Sequence, residues 1–94
     1  PLAPQNFNTE YLVFAPQPAS ERTQIMIAPR VPTNSGILTV SDMLGRNVLR
    51  MESMQLSSGL NDVEMDVRTL AVGAYLVRVQ AGEQVFVGML HIVR

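Results

Sequence analysis

Few residues of this chain are of types that do chemistry, and they are scattered. Asp62, Glu64 and Asp66 fall at i, i+2 and i+4, a spacing that puts three carboxylates on one face of an extended strand. Such a row could hold calcium weakly, yet calcium takes about six to eight oxygens, normally from a folded loop. Alternating with Val63, Met65 and Val67, the row reads first as the solvated side of a half-buried strand. Paired carboxylates also serve glycoside hydrolysis, but a chain of 94 residues has no long loops to build a substrate cleft around them. His91 is the only histidine and there is no cysteine, so a metal site, which needs several such ligands, is not expected. The serines lie outside any G-x-S-x-G elbow and have no positioned base. Asp42 and Arg46 bracket "MLG"; they suit either a charge pair closing a turn or part of a docking surface. These residues point to a protein that is not an enzyme and carries no cofactor.

Composition sets the frame in which those residues must sit. Apolar residues make up 47% of the chain, enough for one modest globular core. The net charge is −1, which gives no electrostatic reason to bind nucleic acid. All seven basic residues are arginine. No apolar run approaches the roughly 18 residues of a membrane helix, and "PLAPQNFNTE" lacks the basic start and apolar stretch of a signal peptide. Residues 1–9, with two prolines and several polar residues, are expected to be a linker, so the chain reads as a piece of a longer protein whose domain spans 10–94.

Short alternating runs between turn signals then position the rest. "YLVFA" (11–15) suits a first strand at a sheet edge, ended by Pro16 and Pro18. "RTQIMIA" (22–28) alternates with Thr23, Ile25 and Ile27 on one side. "PRVPTNSG" (29–36) reads as a loop, and "ILTVSD" (37–42) as a strand with Leu38 and Val40 inward. A turn at Gly45 leads into "NVLRMESMQL" (47–56), whose apolar residues fall on both faces and leave its register open. "SSG" breaks it before "NDVEMDV" (61–67). "AGE" (81–83) is a hairpin turn, and "QVFVGMLHIVR" (84–94) is the last strand. About seven short strands without helical periodicity predict an all-β fold, a seven-stranded antiparallel immunoglobulin-like Greek-key β-sandwich.

Within "LAVGAYLVRV" (70–79), Leu70, Gly73 and Tyr75 have the spacing of a tyrosine corner, in which the phenol bonds a backbone group slightly upstream. In the last strand Phe86, Leu90 and Ile92 can face the core, yet Val85, Val87, Met89 and Val93 on the other side are apolar too. A half-exposed sheet carries polar residues there. The strand is therefore either covered on both faces or displays an apolar strip to a partner, and as the end of the chain it could also be captured by edge pairing.

Taken in order, "VFAPQPAS" (13–20), "SDMLGR" (41–46), "MDVRTLAVGAYLVRV" (65–79), a glycine hairpin and a terminal strand resemble the C-terminal sorting domain of type IX secretion cargo. The resemblance covers roughly residues 11–94. It implies a non-enzymatic sorting signal that directs its parent protein from the periplasm through the outer membrane, to the cell surface or the medium, and is usually removed there by a sortase. The implied partners are the outer-membrane translocon, shuttle and sortase, with no nucleic acid; unpaired edge strands would also permit self-association. Carried onto this chain, the recognition residues are Asp42, Gly45, Arg46, Arg78, Met89, Leu90, His91, Ile92, Val93 and Arg94. Gln17 stands where the family usually has asparagine, and the last run has arginine where the family has lysines. The alternatives are a retained interaction module of a secretion or attachment component, and a generic accessory sandwich of a secreted hydrolase. Carbohydrate binding needs exposed aromatic platforms, and only Phe7, Tyr11, Phe14, Tyr75 and Phe86 are available.

Overall fold

The computed structural model describes residues 9–94, which form eight strands and no helix: β1 (Thr9–Tyr11), β2 (Val13–Ala15), β3 (Arg22–Ile27), β4 (Thr33–Asp42), β5 (Asn47–Leu56), β6 (Asn61–Asp66), β7 (Gly73–Ala81) and β8 (Gln84–Ile92). Strands β2 to β8 are the seven antiparallel ones, and β1 adds a short parallel pairing to β8. They make a five-stranded sheet, β1-β8-β7-β4-β5, and a three-stranded sheet, β2-β3-β6. Two sheets suffice because each strand alternates, so each sheet has one apolar face to cover. The inner faces meet in one core containing Ile25, Ile27, Met65 and Val67 from one layer and Leu38, Val40, Val77, Val79, Phe86, Leu90 and Ile92 from the other, each no more than 2% exposed.

The inward residues expected for the strands at 22–28, 37–42, 61–67 and 84–94 are the buried or, for Val63, half-buried ones. Two expectations need correction. "YLVFA" is two strands: the chain leaves the large sheet at Leu12 and joins the edge of the small one as β2, with Leu12 and Phe14 both buried between the layers. An i, i+2 apolar pair can be buried across such a switch as well as along one strand, and the sequence pattern is the same in both cases. Secondly, the loop expected at 29–36 ends early, because β4 begins at Thr33; Gly36 is buried against Met54 and Leu56 of β5, where ladder pairing overrides the turn-like composition. The linker expected at 1–9 lies, up to residue 8, outside the described residues; Thr9 already pairs with Val85.

The two-sided pattern of β5 also finds its cause. Leu49 and Met51 turn inward and are half-buried, but from Met54 onward the even positions face the core. Between them Ser53 has φ +56°, and the pairing with β4 jumps from Leu38–Met51 to Gly36–Met54. One extra residue on β5 is a bulge, and it exchanges the two faces of the strand. At the centre of β8, Gly88 leaves room for Phe14 of the opposite layer: a Cβ there would lie 2.7 Å from Phe14 Cε2.

Candidate functional site

The corner, the β4–β5 turn and the two faces of β8 hold the residues singled out in the sequence. At the corner, the Tyr75 hydroxyl donates to the Ala71 carbonyl at 2.5 Å, Leu70 is buried, and Gly73 begins β7 at φ +154°. Arg94 reaches the same corner: its guanidinium donates to the Leu70 and Val67 carbonyls at 2.6 and 2.7 Å. That tie joins two segments 24 and 27 residues apart, and nothing in a lone terminal arginine announces it.

In the β4–β5 turn, the Asp42 carboxylate accepts from the backbone N–H of Leu44 and of Arg46 and from Arg46 Nε, at 2.9, 3.0 and 2.8 Å. Gly45, at φ +85°, makes the reversal without a Cβ clash. The Arg46 backbone N–H is the main reason the Asp42 carboxyl sits below the usual carboxylate range, its side chain adding to it. Asp42 and Arg46 thus form the turn-closing pair that was one of their two expected roles. What the turn presents outward is Met43 and Leu44, 59% and 80% exposed.

Along β8 the inner row of Phe86, Leu90 and Ile92 is buried in the core, so a partner of the folded domain cannot touch Leu90 or Ile92. The outer row is half-buried at Val85 and Val87 and exposed at Met89, His91 and Val93. The edge of β8 is not open to pairing, which corrects the expectation of capture there. Leu12 N–H donates to the Val87 carbonyl, the Gln17 side chain both donates to the Met89 carbonyl (3.1 Å) and accepts from His91 N–H (2.8 Å), and Ala19 exchanges backbone bonds with His91 and Val93. The Thr23 hydroxyl, buried, donates to the Pro16 carbonyl and holds this strap in place. The amide of Gln17 does for β8 what another strand's backbone would do, a role visible only once the two segments, 72 or more residues apart, are brought together.

The remaining polar candidates stand apart. Asp62, Glu64 and Asp66 face solvent on β6, with Glu64 3.8 Å from Arg22 and Asp66 held by Arg68 at 2.6 Å. The Arg68 side chain, and then its backbone N–H, bring the Asp66 carboxyl down to about 2. Among the described residues no three His, Cys, Asp or Glu side chains gather to hold a cation. Of the aromatic residues, Phe14, Tyr75 and Phe86 are buried and cannot stack on a sugar, while the side chains of Phe7 and Tyr11 lie outside the description. Arg78 is exposed on the outer face of β7 and makes no ion pair among the described residues.

Residues 13–92 of the chain match a family model, that of the secretion system C-terminal sorting domain. No curated protein matches the chain closely enough to be called a relative.

Proposed function

The chain belongs to the type IX secretion C-terminal sorting domain family, and on that premise we propose that it is read as a folded signal through the outer row of β8. The family is one of sorting signals rather than enzymes, and membership implies contact with type IX secretion machinery and export through the outer membrane. The finer reading is that a translocon or shuttle component docks on Met89, His91 and Val93, with Arg78 beside them, after which a surface sortase removes the domain. In this reading Asp42, Gly45 and Arg46 serve recognition by shaping the turn, Arg94 by fixing the end of β8, and Leu90 and Ile92 by anchoring the strand from beneath. Residues 10–94 act as the sorting unit, with Thr9 of β1 at its start and the residues before it as its linker. The connectivity, with β2-β3-β6 facing β8-β7-β4-β5, supports an immunoglobulin-like Greek-key assignment.

One observation carries the recognition reading: apolar Met89 and Val93 stay 42% and 45% exposed on the outer side of β8, whose inner Phe86, Leu90 and Ile92 are buried. The test fuses residues 1–94 to an inert periplasmic reporter in a type IX-competent bacterium. The fusion should reach the cell surface, and remain periplasmic when the apparatus is deleted. A reporter found outside without the domain supports sortase removal; one still joined to it favours the retained module. Export that ignores the apparatus would overturn the sorting reading and favour a generic accessory sandwich.

A further inference from the structure

Ladder register brings together apolar residues that the sequence keeps far apart. In the five-stranded sheet, Ser41, Leu76 and Met89 form one cross-strand row and Ala74 and His91 another. Met43 follows Asp42, which pairs with Tyr75, so it falls at the level of Ala74. One step beyond the Gly73–Ile92 pair are Val72 and Val93. Leu76 and Met89 share the parity that points away from the core, and Met43, Val72 and Val93 are exposed just past the ends of β4, β7 and β8. Their exposures are 59% for Met43, 62% for Val72, 39% for Leu76, 42% for Met89 and 45% for Val93. Half of the ten exposed large apolar side chains among the described residues thus fall at one end of the five-stranded sheet. Apolar side chains scattered singly are ordinary; a group gathered on and just past the ends of three neighbouring strands is a mark of an interface.

The charges around the patch indicate what it fits. No outward position of the paired stretches of β4, β7 and β8 carries a carboxylate, and Asp42, beside Met43, is held by Arg46. Arg78 borders the patch beside Leu76 and has no ion-pair partner among the described residues. Its planar fork suits a carboxylate, and arginine is the cation enriched at protein interfaces. A lipid surface is the poorer occupant. The chain has a net charge of −1 and no lysine, so nothing concentrates it on anionic headgroups.

We propose that Met43, Val72, Leu76, Met89 and Val93 form a composite docking surface across β4, β7 and β8 for a protein presenting an apolar ridge beside a carboxylate, which Arg78 pairs. The signal is then a face of the folded sheet rather than the linear run at residues 89–94. The inference rests on the sorting reading and adds three residues outside β8 to it.

The test uses the same reporter fusion, carrying Leu76→Ser, Met43→Ser with Val72→Ser, or Arg78→Glu, and Leu60→Ser as a control in the β5–β6 loop at the other end of the sandwich. All the replaced side chains are exposed, and thermal melting of each purified chain verifies that it folds. The three patch variants should be exported at least about tenfold less than the unaltered fusion, by the apolar contact each removes or the pairing that Arg78→Glu reverses, while Leu60→Ser is exported normally. A photo-crosslinking amino acid at position 76 should capture an outer-membrane protein of the apparatus, and the same probe at position 60 should not. Normal export of folded Leu76→Ser and Met43→Ser with Val72→Ser would overturn the composite surface and leave the sorting reading intact. Apparatus-independent export of the unaltered fusion would overturn both. Flotation of the chain with phosphatidylethanolamine–phosphatidylglycerol vesicles, lost in the Leu76→Ser variant, would overturn the protein partner in favour of lipid.

Discussion

At the scale of single residues, this domain uses polar groups chiefly to secure backbone. Tyr75 closes the corner with one bond to Ala71, Arg94 pins the end of the chain to Val67 and Leu70, and Asp42 locks the β4–β5 turn. Tyr75→Phe keeps the buried ring and removes only the bond, so it should destabilise the domain by about 1–2 kcal/mol. Urea denaturation measures this directly; an unchanged midpoint would mean that the corner bond contributes nothing. The L-x-x-G-x-Y spacing made Tyr75 legible beforehand, because the corner is a local motif. The family resemblance assigns Arg94 to recognition, and its ties to the corner are not legible in the sequence, because both of its acceptors lie in a distant loop.

At the scale of elements, β8 decides most. Its inner row seals the core, its outer row is exposed in part, and its edge is closed by a strap whose middle contact is one side chain. Gln17→Ala would leave the Met89 carbonyl and the His91 N–H without that partner. Since the bonds are exposed and water can replace them in part, the expected loss is about 0.5–1.5 kcal/mol. Hydrogen exchange at the His91 amide should quicken, while amides facing β7 keep their protection. Equal protection at His91 in the variant would show that Ala19 alone holds the edge. Alternation identified β3, β6 and β8 with their inner faces because one face of each is buried. It was silent about β5, where a bulge at Ser53 exchanges the faces midway, and about the sheet switch at Leu12.

At the scale of the whole molecule, acid stability is the readable electrostatic property. The folded-state carboxyls of Asp42 and Asp66 both lie below their ordinary value of 3.8, Asp66 at about 2. A depressed carboxyl contributes stability that is present above its unfolded pKa and is lost as pH falls through its folded one. The denaturation midpoint should therefore decline between about pH 4 and pH 2. Asp66 is exposed and Asp42 is half-buried in a surface turn, each beside an exposed arginine, so the decline attributable to each is small. Asp66→Asn should flatten it, as urea titrations at stepped pH would report; an identical acid slope in the variant would place the effect on other carboxylates.

Sequence alone determined the strand count within one, the inward residues of most strands, the corner and the family. Each of these depends on near neighbours along the chain: period-two alternation, turn residues at fixed offsets, and motifs in a set order. Tertiary structure decided what depends on register between strands distant in sequence. The Gln17 strap, the anchoring of Arg94, the bulged face of β5 and the gathering of Met43, Val72 and Leu76 beside Met89 and Val93 are of that kind. The physical reason is that a strand's own pattern specifies which side faces the core, whereas its neighbours and their alignment are set by packing two sheets over one core. One step of register would assign every outward side chain a different company.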